Sequence, residues 1–95
     1  MLTYKAAYYH AQGGVHAQVL DFPGAITCGE TLDEVRRLLA SALLDMAELA
    51  LERGELLPVP APASHDEEAD IEEPLYLHLR TSTSIEILPA GVVVA

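Results

Sequence analysis

The chain predicts an α+β fold: three short strands, one long helix packed on a face of their antiparallel sheet, and a strand-rich tail. Three observations carry this. Residues 2–28 alternate apolar and polar positions between turn signals, Thr31 to Arg53 has helical periodicity, and Pro74 to Leu88 alternates again.

Leu2 to His10 reads as the first strand, with Leu2, Tyr4, Ala6 and Tyr8 on one face and Thr3, Lys5, Ala7 and Tyr9 on the other. The pair Gly13-Gly14 supplies the positive φ of a tight hairpin, and Val15 to Leu20 returns. Asp21-Phe22-Pro23-Gly24 is a second turn, and Ala25 to Cys28 a short third strand.

Thr31-Leu32-Asp33-Glu34 has capping-box spacing, and Asp33 and Glu34 place negative charge at the positive end of the helix dipole. Gly54 is placed to end the helix, and Pro58 and Pro60 prevent a restart. At about 100° per residue, Leu32, Val35, Leu39, Ala42, Leu43, Met46, Leu49 and Ala50 form the face that should cover the sheet. Asp33 and Arg37 are spaced for a surface pair. Leu44 and Leu51, seven residues apart, project together on the polar side. They read either as two solitary surface leucines or as a contact seam for another protein.

Beyond the helix the composition changes. Residues 58–63, PVPAPA, have polyproline character. Residues 64–73 hold Asp66, Glu67, Glu68, Asp70, Glu72 and Glu73 with only Ile71 to bury, and read as solvated and mobile. Leu75, Leu77 and Leu79 then alternate with Tyr76, His78 and Arg80 as in a strand. Thr81 to Ser84 reads as a turn or as part of one long strand. Ile85 to Ile87 is β-like, Pro89 to Gly91 a turn, and Val92 to Val94 a segment that should pair with the sheet or another subunit. The expected division is 1–60 for the main domain, 61–73 for a Pro-rich and acidic linker, and 74–95 for a β extension.

Ninety-five residues suit one domain. Fifteen Asp and Glu against five Lys and Arg give a formal charge of −10. That balance disfavours direct nucleic-acid binding, which needs cations to neutralise phosphates, and suits either a basic protein partner or simple solubility. No apolar run approaches the ~18 residues needed to cross a bilayer, the N-terminus lacks a signal-peptide pattern, and Cys28 stands alone. A cytoplasmic location is expected. No zinc-type histidine spacing, phosphate loop or catalytic cluster is found, so no catalytic, cofactor or metal residues are assigned. Cys28 reads as a buried inert thiol and His16 as a surface or interface residue. Asp21 and Glu30 flank the third strand and could in principle share a metal ion, although a turn and a helix start account for both.

The ordered set of a tyrosine-bearing first strand, Gly13-Gly14, Asp21-Phe22-Pro23-Gly24, Cys28-Gly29-Glu30-Thr31-Leu32-Asp33-Glu34 and Pro58-Val59-Pro60 resembles the HicB family of antitoxins, over residues 2–60. Leu20 stands where that family often has Pro, and Ala25 where a Cys commonly follows the Pro-Gly. The resemblance implies a partial ribonuclease-H-like fold, β-β-β-α-β, without the active carboxylate cluster. It implies the antitoxin of a type II toxin–antitoxin system, whose partner is a small basic RNA-cleaving toxin of HicA type, covered at its active surface. A homodimer or homotetramer is also implied. Many relatives carry a C-terminal DNA-binding module, but residues 61–95 contain one basic residue, Arg80, and no helix pair, so no operator contact is expected. The candidate toxin contacts are Leu44 and Leu51, or the tail strand, as apolar anchors and Asp66, Glu67, Glu68, Asp70, Glu72 and Glu73 as mimics of phosphate. The alternative is a carboxylate-dependent hydrolase using Asp21 and Glu30.

Overall fold

The structure, a computed structural model, describes residues 1–81, 84–88 and 90. It contains β1 (Leu2–Ala11), β2 (Gly14–Val19), β3 (Ile26–Gly29), α1 (Leu32–Glu52), β4 (Ile71–Thr81) and β5 (Ser84–Leu88). The strands form one sheet in the order β3-β2-β1-β4-β5, and every pairing is antiparallel. The expected α+β class holds. The expected turns at Thr81–Ser84 and Pro89–Gly91 and the Val92–Val94 segment lie wholly or partly outside the described residues.

β1 runs through the middle of the sheet, so its even positions set the core. Tyr4, Ala6 and Tyr8 are buried, flanked by Val15, Ala17 and Val19 of β2 and by Leu75 and Leu77 of β4. Val35, Leu39, Leu43 and Ala47 cover them, a stripe that follows the every-fourth-residue row of the helix. Fully burying a leucine such as Leu39 or Leu43 contributes about 1.5–3 kcal/mol. The stripe is narrower than the expected face: Leu49 is exposed and Ala47 replaces it.

Thr31 caps α1 by accepting the Glu34 amide at 3.2 Å. The Glu34 carboxylate lies against Gly29, in the space a Cβ there would occupy. At the other end Gly54 has φ 71°, and the amides of Gly54 and Glu55 bond to the carbonyls of Leu51 and Ala50, closing the helix as expected. Asp33 pairs with Arg36 at 3.7 Å rather than with Arg37. Gly24 has φ 94°, and a Cβ there would lie 2.7 Å from the Met46 methyl, so the second turn requires glycine twice over.

β4 begins at Ile71, inside the stretch expected to be linker. Its two leading acids are tolerated because each meets a cation: Glu72 faces Lys5 and His65, and Glu73 faces Arg36. Pro74 also fits within this interior strand. It sits opposite Lys5, whose amide and carbonyl both turn toward β2, so no bond to β1 is owed at that position.

Candidate partner-binding surface

The outer face of the sheet, turned away from α1, carries the odd positions of β1 and the even positions of β2, β3 and β4. The chain leaving the helix crosses this face and is fastened at each step. The buried Tyr4 hydroxyl donates to the Pro58 carbonyl at 2.6 Å. Asp21 accepts the Lys5 amide on one oxygen and the Ala61 amide on the other, both at 2.9 Å. Lys5 Nζ donates to the Pro62 carbonyl at 3.2 Å, and the Tyr9 hydroxyl to Asp66 at 2.7 Å. Asp70 accepts the His10 amide and donates its own amide to the Tyr8 carbonyl. Ala7 lies between Lys5 and Tyr9 on this face and is fully buried. The segment expected to be a solvated, mobile linker is therefore a fastened strap. The sequence concealed it because the fastenings are main-chain groups and distant side chains, which leave no periodic pattern.

The strap divides the six candidate acids. Glu72 and Glu73 are committed to ion pairs, Asp66 accepts from Tyr9 and from the Glu68 amide, and Asp70 holds β1. Tyr9, then the Glu68 amide, hold the Asp66 carboxyl below the usual aspartate value. Glu67 and Glu68 are exposed, and neither carboxylate is engaged among the described residues.

Glu73 sits on the helix face of the sheet, where Arg36 grips it through two bonds of 2.9 and 3.0 Å. The same guanidinium lies 5.8 Å from the centre of the Tyr8 ring. The Tyr8 hydroxyl is buried beside this pair and has no hydrogen-bond partner among the described residues. Deleting that oxygen removes a desolvated polar atom without opening a bond elsewhere. Tyr8→Phe is accordingly expected to leave the chain as stable as before or up to about 1 kcal/mol more stable in urea unfolding. A loss of that size would show that the hydroxyl has a partner in solution.

Tyr4, Tyr8 and Tyr9 all hold their phenolic protons above the ordinary pKa of 10.0. Burial is the first cause in each. Asp21 adds to it at Tyr4, Glu73 at Tyr8 and Asp66 at Tyr9. The folded chain thus binds more protons than the unfolded chain above pH 10, so this contribution is complete below that pH and is lost as pH rises beyond it. Tyrosinate absorbance is expected to rise together with loss of circular dichroism in alkaline titration. Complete ionisation near pH 10 with the fold intact would contradict this.

Between the strap and β3 lies an open concavity of about 890 Å³. Tyr9, His16, Gln18, Ile26 and Cys28 line it, and Asp66, Glu68 and Asp70 stand along one side. Gln18 donates to the Tyr9 hydroxyl at 2.8 Å, so Gln18, Tyr9 and Asp66 form a fixed chain of bonds. Cys28 is exposed here, not buried as expected, because it sits opposite His16 on the face turned from the helix. Tyr9, Gln18 and Ile26 were not singled out from the sequence. The odd-position alternation in β1 was the available signal for Tyr9.

The other candidates lie elsewhere. Leu44 is half-buried at a shallow groove between α1 and β5, with Arg80, Ile85 and Ile87, and Leu51 is half-buried near the helix end. The helix covers one face of the sheet and the strap the other, so these leucines and the strap acids do not form one surface. Asp21 has both oxygens occupied by backbone amides, and Glu30 is exposed. Among the described residues no group of three or more His, Cys, Asp or Glu side chains is placed to hold a metal ion. Among them, too, no helix is long and apolar enough to cross a membrane, which says nothing of β-barrels.

No protein-family model matches the chain. Antitoxin HicB of Escherichia coli strain K12 is 40% identical to it over 56 residues, and Antitoxin HicB of Escherichia coli O157:H7 matches equally. Over this stretch the chain is similar to Antitoxin HicB. The match takes in 58% of the chain and 41% of each HicB protein, so the chain meets well under half the length of these relatives. Asp21 and Gly24, two residues of the Asp-Phe-Pro-Gly turn, acquire physical roles: one fastens the strap, the other clears Met46.

Proposed function

We propose that the chain is the antitoxin of a type II toxin–antitoxin pair and neutralises a small basic RNA-cleaving toxin of HicA type by covering its active surface. The observation that carries this reading is the 40% identity to Antitoxin HicB. The charge of −10 supports it, since a toxin that grips RNA must present cations that carboxylates can occupy. Glu67 and Glu68, unengaged on a fastened strap, are the foremost of the six candidate acids for that contact, with Asp66, Asp70, Glu72 and Glu73 as the scaffold that positions them. The β-β-β-α-β portion is read as a partial ribonuclease-H-like fold, with residues 1–60 as the HicB-like domain, 61–73 as the strap region and 74–95 as the β extension. Leu44 and Leu51 are assigned to self-association into a dimer or tetramer in the cytoplasm, and no operator binding is assigned.

A hydrolase acting through Asp21 and Glu30 is not favoured, because Asp21 is 9% exposed and each of its oxygens already serves as a structural acceptor for a backbone amide. The test is co-expression with a small basic RNA-cleaving toxin of HicA type. Rescue of growth and co-purification are expected, with light scattering giving a dimeric or tetrameric mass for the chain alone. Toxicity undiminished by co-expression would overturn the antitoxin reading, and a monomeric mass would remove the assembly.

A further inference from the structure

The edge of the sheet at β3 is short, and its Ile26 amide already bonds to the Gly24 carbonyl, but no charge or proline guards the rest of it. Sheet edges are ordinarily protected by charge, proline or a covering element, because their unpaired amides and carbonyls accept any extended chain. Ile26, Thr27, Cys28 and Gly29 carry no charge and no proline, and Ile26 is 66% exposed. The opposite edge, β5, carries Glu86 in an ion pair with Arg80. Beside β3 the concavity continues onto the strap, where Asp66, Glu68 and Asp70 stand and no Lys or Arg lines the wall. An apolar floor, an open backbone edge and a row of carboxylates thus adjoin one another.

We infer that this edge and concavity receive an extended, arginine- or lysine-bearing segment of a partner protein, which adds as a short strand to β3 and sets its cations against Asp66, Glu68 and Asp70. Main-chain pairing would supply affinity, and every second side chain, on the face turned from α1, would supply selection, its stem lying on Ile26 and its cation reaching toward the acids. The carboxylates choose the occupant. A second copy of this chain would bring its own excess of ten negative charges to the same place, and nucleic acid would bring phosphates; both are disfavoured by like charge. The strap is already fastened through Tyr9–Asp66 and His10–Asp70, so little ordering is left to be done on binding. The inference rests on the antitoxin reading only for the natural partner, whose basic surface would contribute the segment.

The experiment uses the full chain and a short peptide alternating arginine with valine, with a glutamate–valine peptide as control. Amide shifts are expected at Ile26–Cys28 and at Asp66–Asp70. Alkylation of Cys28, the chain's one cysteine, by neutral iodoacetamide should slow several-fold at saturating peptide. Glu68→Gln should weaken the peptide several-fold. Ile26→Asp should abolish protection with circular dichroism unchanged, since the side chain is exposed. Absent shifts, shifts confined to α1, equal binding of the acidic peptide, or β3 shifts that grow with chain concentration alone would each overturn the inference. A basic toxin that binds Ile26→Asp and Glu68→Gln as tightly as the unaltered chain would remove this docking site and leave the antitoxin reading standing. Peptide docking without toxin neutralisation would do the reverse.

Discussion

Asp21→Ala is expected to cost about 2–4 kcal/mol of unfolding free energy, the sum for two part-buried amides deprived of a charged acceptor. Asp21 is 9% exposed, and its two oxygens serve Lys5 of the central strand and Ala61 of the strap. The loss is thus felt in two places. The Lys5 amide points toward β2, where the ladder has given way to the turn, and no main-chain carbonyl replaces the carboxylate there. The Ala61 amide anchors the strap just before it crosses Ala7. In a domain of this size such a change corresponds to a fall in melting temperature on the order of 10–20 °C. Asp21→Asn should lie between, because its carboxamide oxygen can accept one amide while its NH2 group opposes the other. Urea unfolding gives the energies, and amide exchange locates them, with faster exchange at Lys5 and Ala61. A cost below about 0.5 kcal/mol would mean that water replaces both bonds in the native state.

What could be read from the sequence divides along the same line as these bonds. The strands, the capped helix and its Gly54 stop were legible because each rests on neighbours within a few residues: alternation in β1, Thr31 three before Glu34, an apolar row at every fourth position. The fold class followed from their order. The strap was not legible, since Tyr9 finds Asp66, and Asp21 finds Ala61, across tens of residues, and an acidic run with one apolar side chain has the composition of a disordered segment. The acidic run read as solvated and mobile, whereas Asp66, Asp70, Glu72 and Glu73 are bonded, because composition counts charges and does not pair them. The exposure of Cys28 and the place of Ile26 were missed for a related reason. A four-residue edge strand gives too little alternation to say which of its faces is covered, and here both side chains point to the face that α1 leaves open.

The pairing of Arg36 with Glu73 gives the second large effect. Arg36→Ala should cost about 1.5–3 kcal/mol. Removing one partner of a fully buried ion pair costs about 3–5 kcal/mol because the other charge is stranded. Here Glu73 is 16% exposed but Arg36 is 39% exposed, so solvent already screens part of the attraction and the figure must be reduced. The geometry favours a substantial remainder: both guanidinium bonds are near 3 Å, and the same group covers the Tyr8 ring. Asp33 offers no rescue, since it is itself a carboxylate and cannot replace the lost cation. Glu73 is also held by β4 opposite Ala6, in the middle of the sheet, so it cannot swing out to water without disturbing the strand. Replacing both partners at once is a different matter. Arg36→Met with Glu73→Leu removes the stranded charge and keeps apolar volume over Tyr8, and should recover most of the loss. A double-mutant cycle in urea is expected to show coupling of about 1–2 kcal/mol. Single and double variants whose costs simply add would mean that the two side chains act independently, and that Glu73 is accommodated in β4 by solvent rather than by the helix.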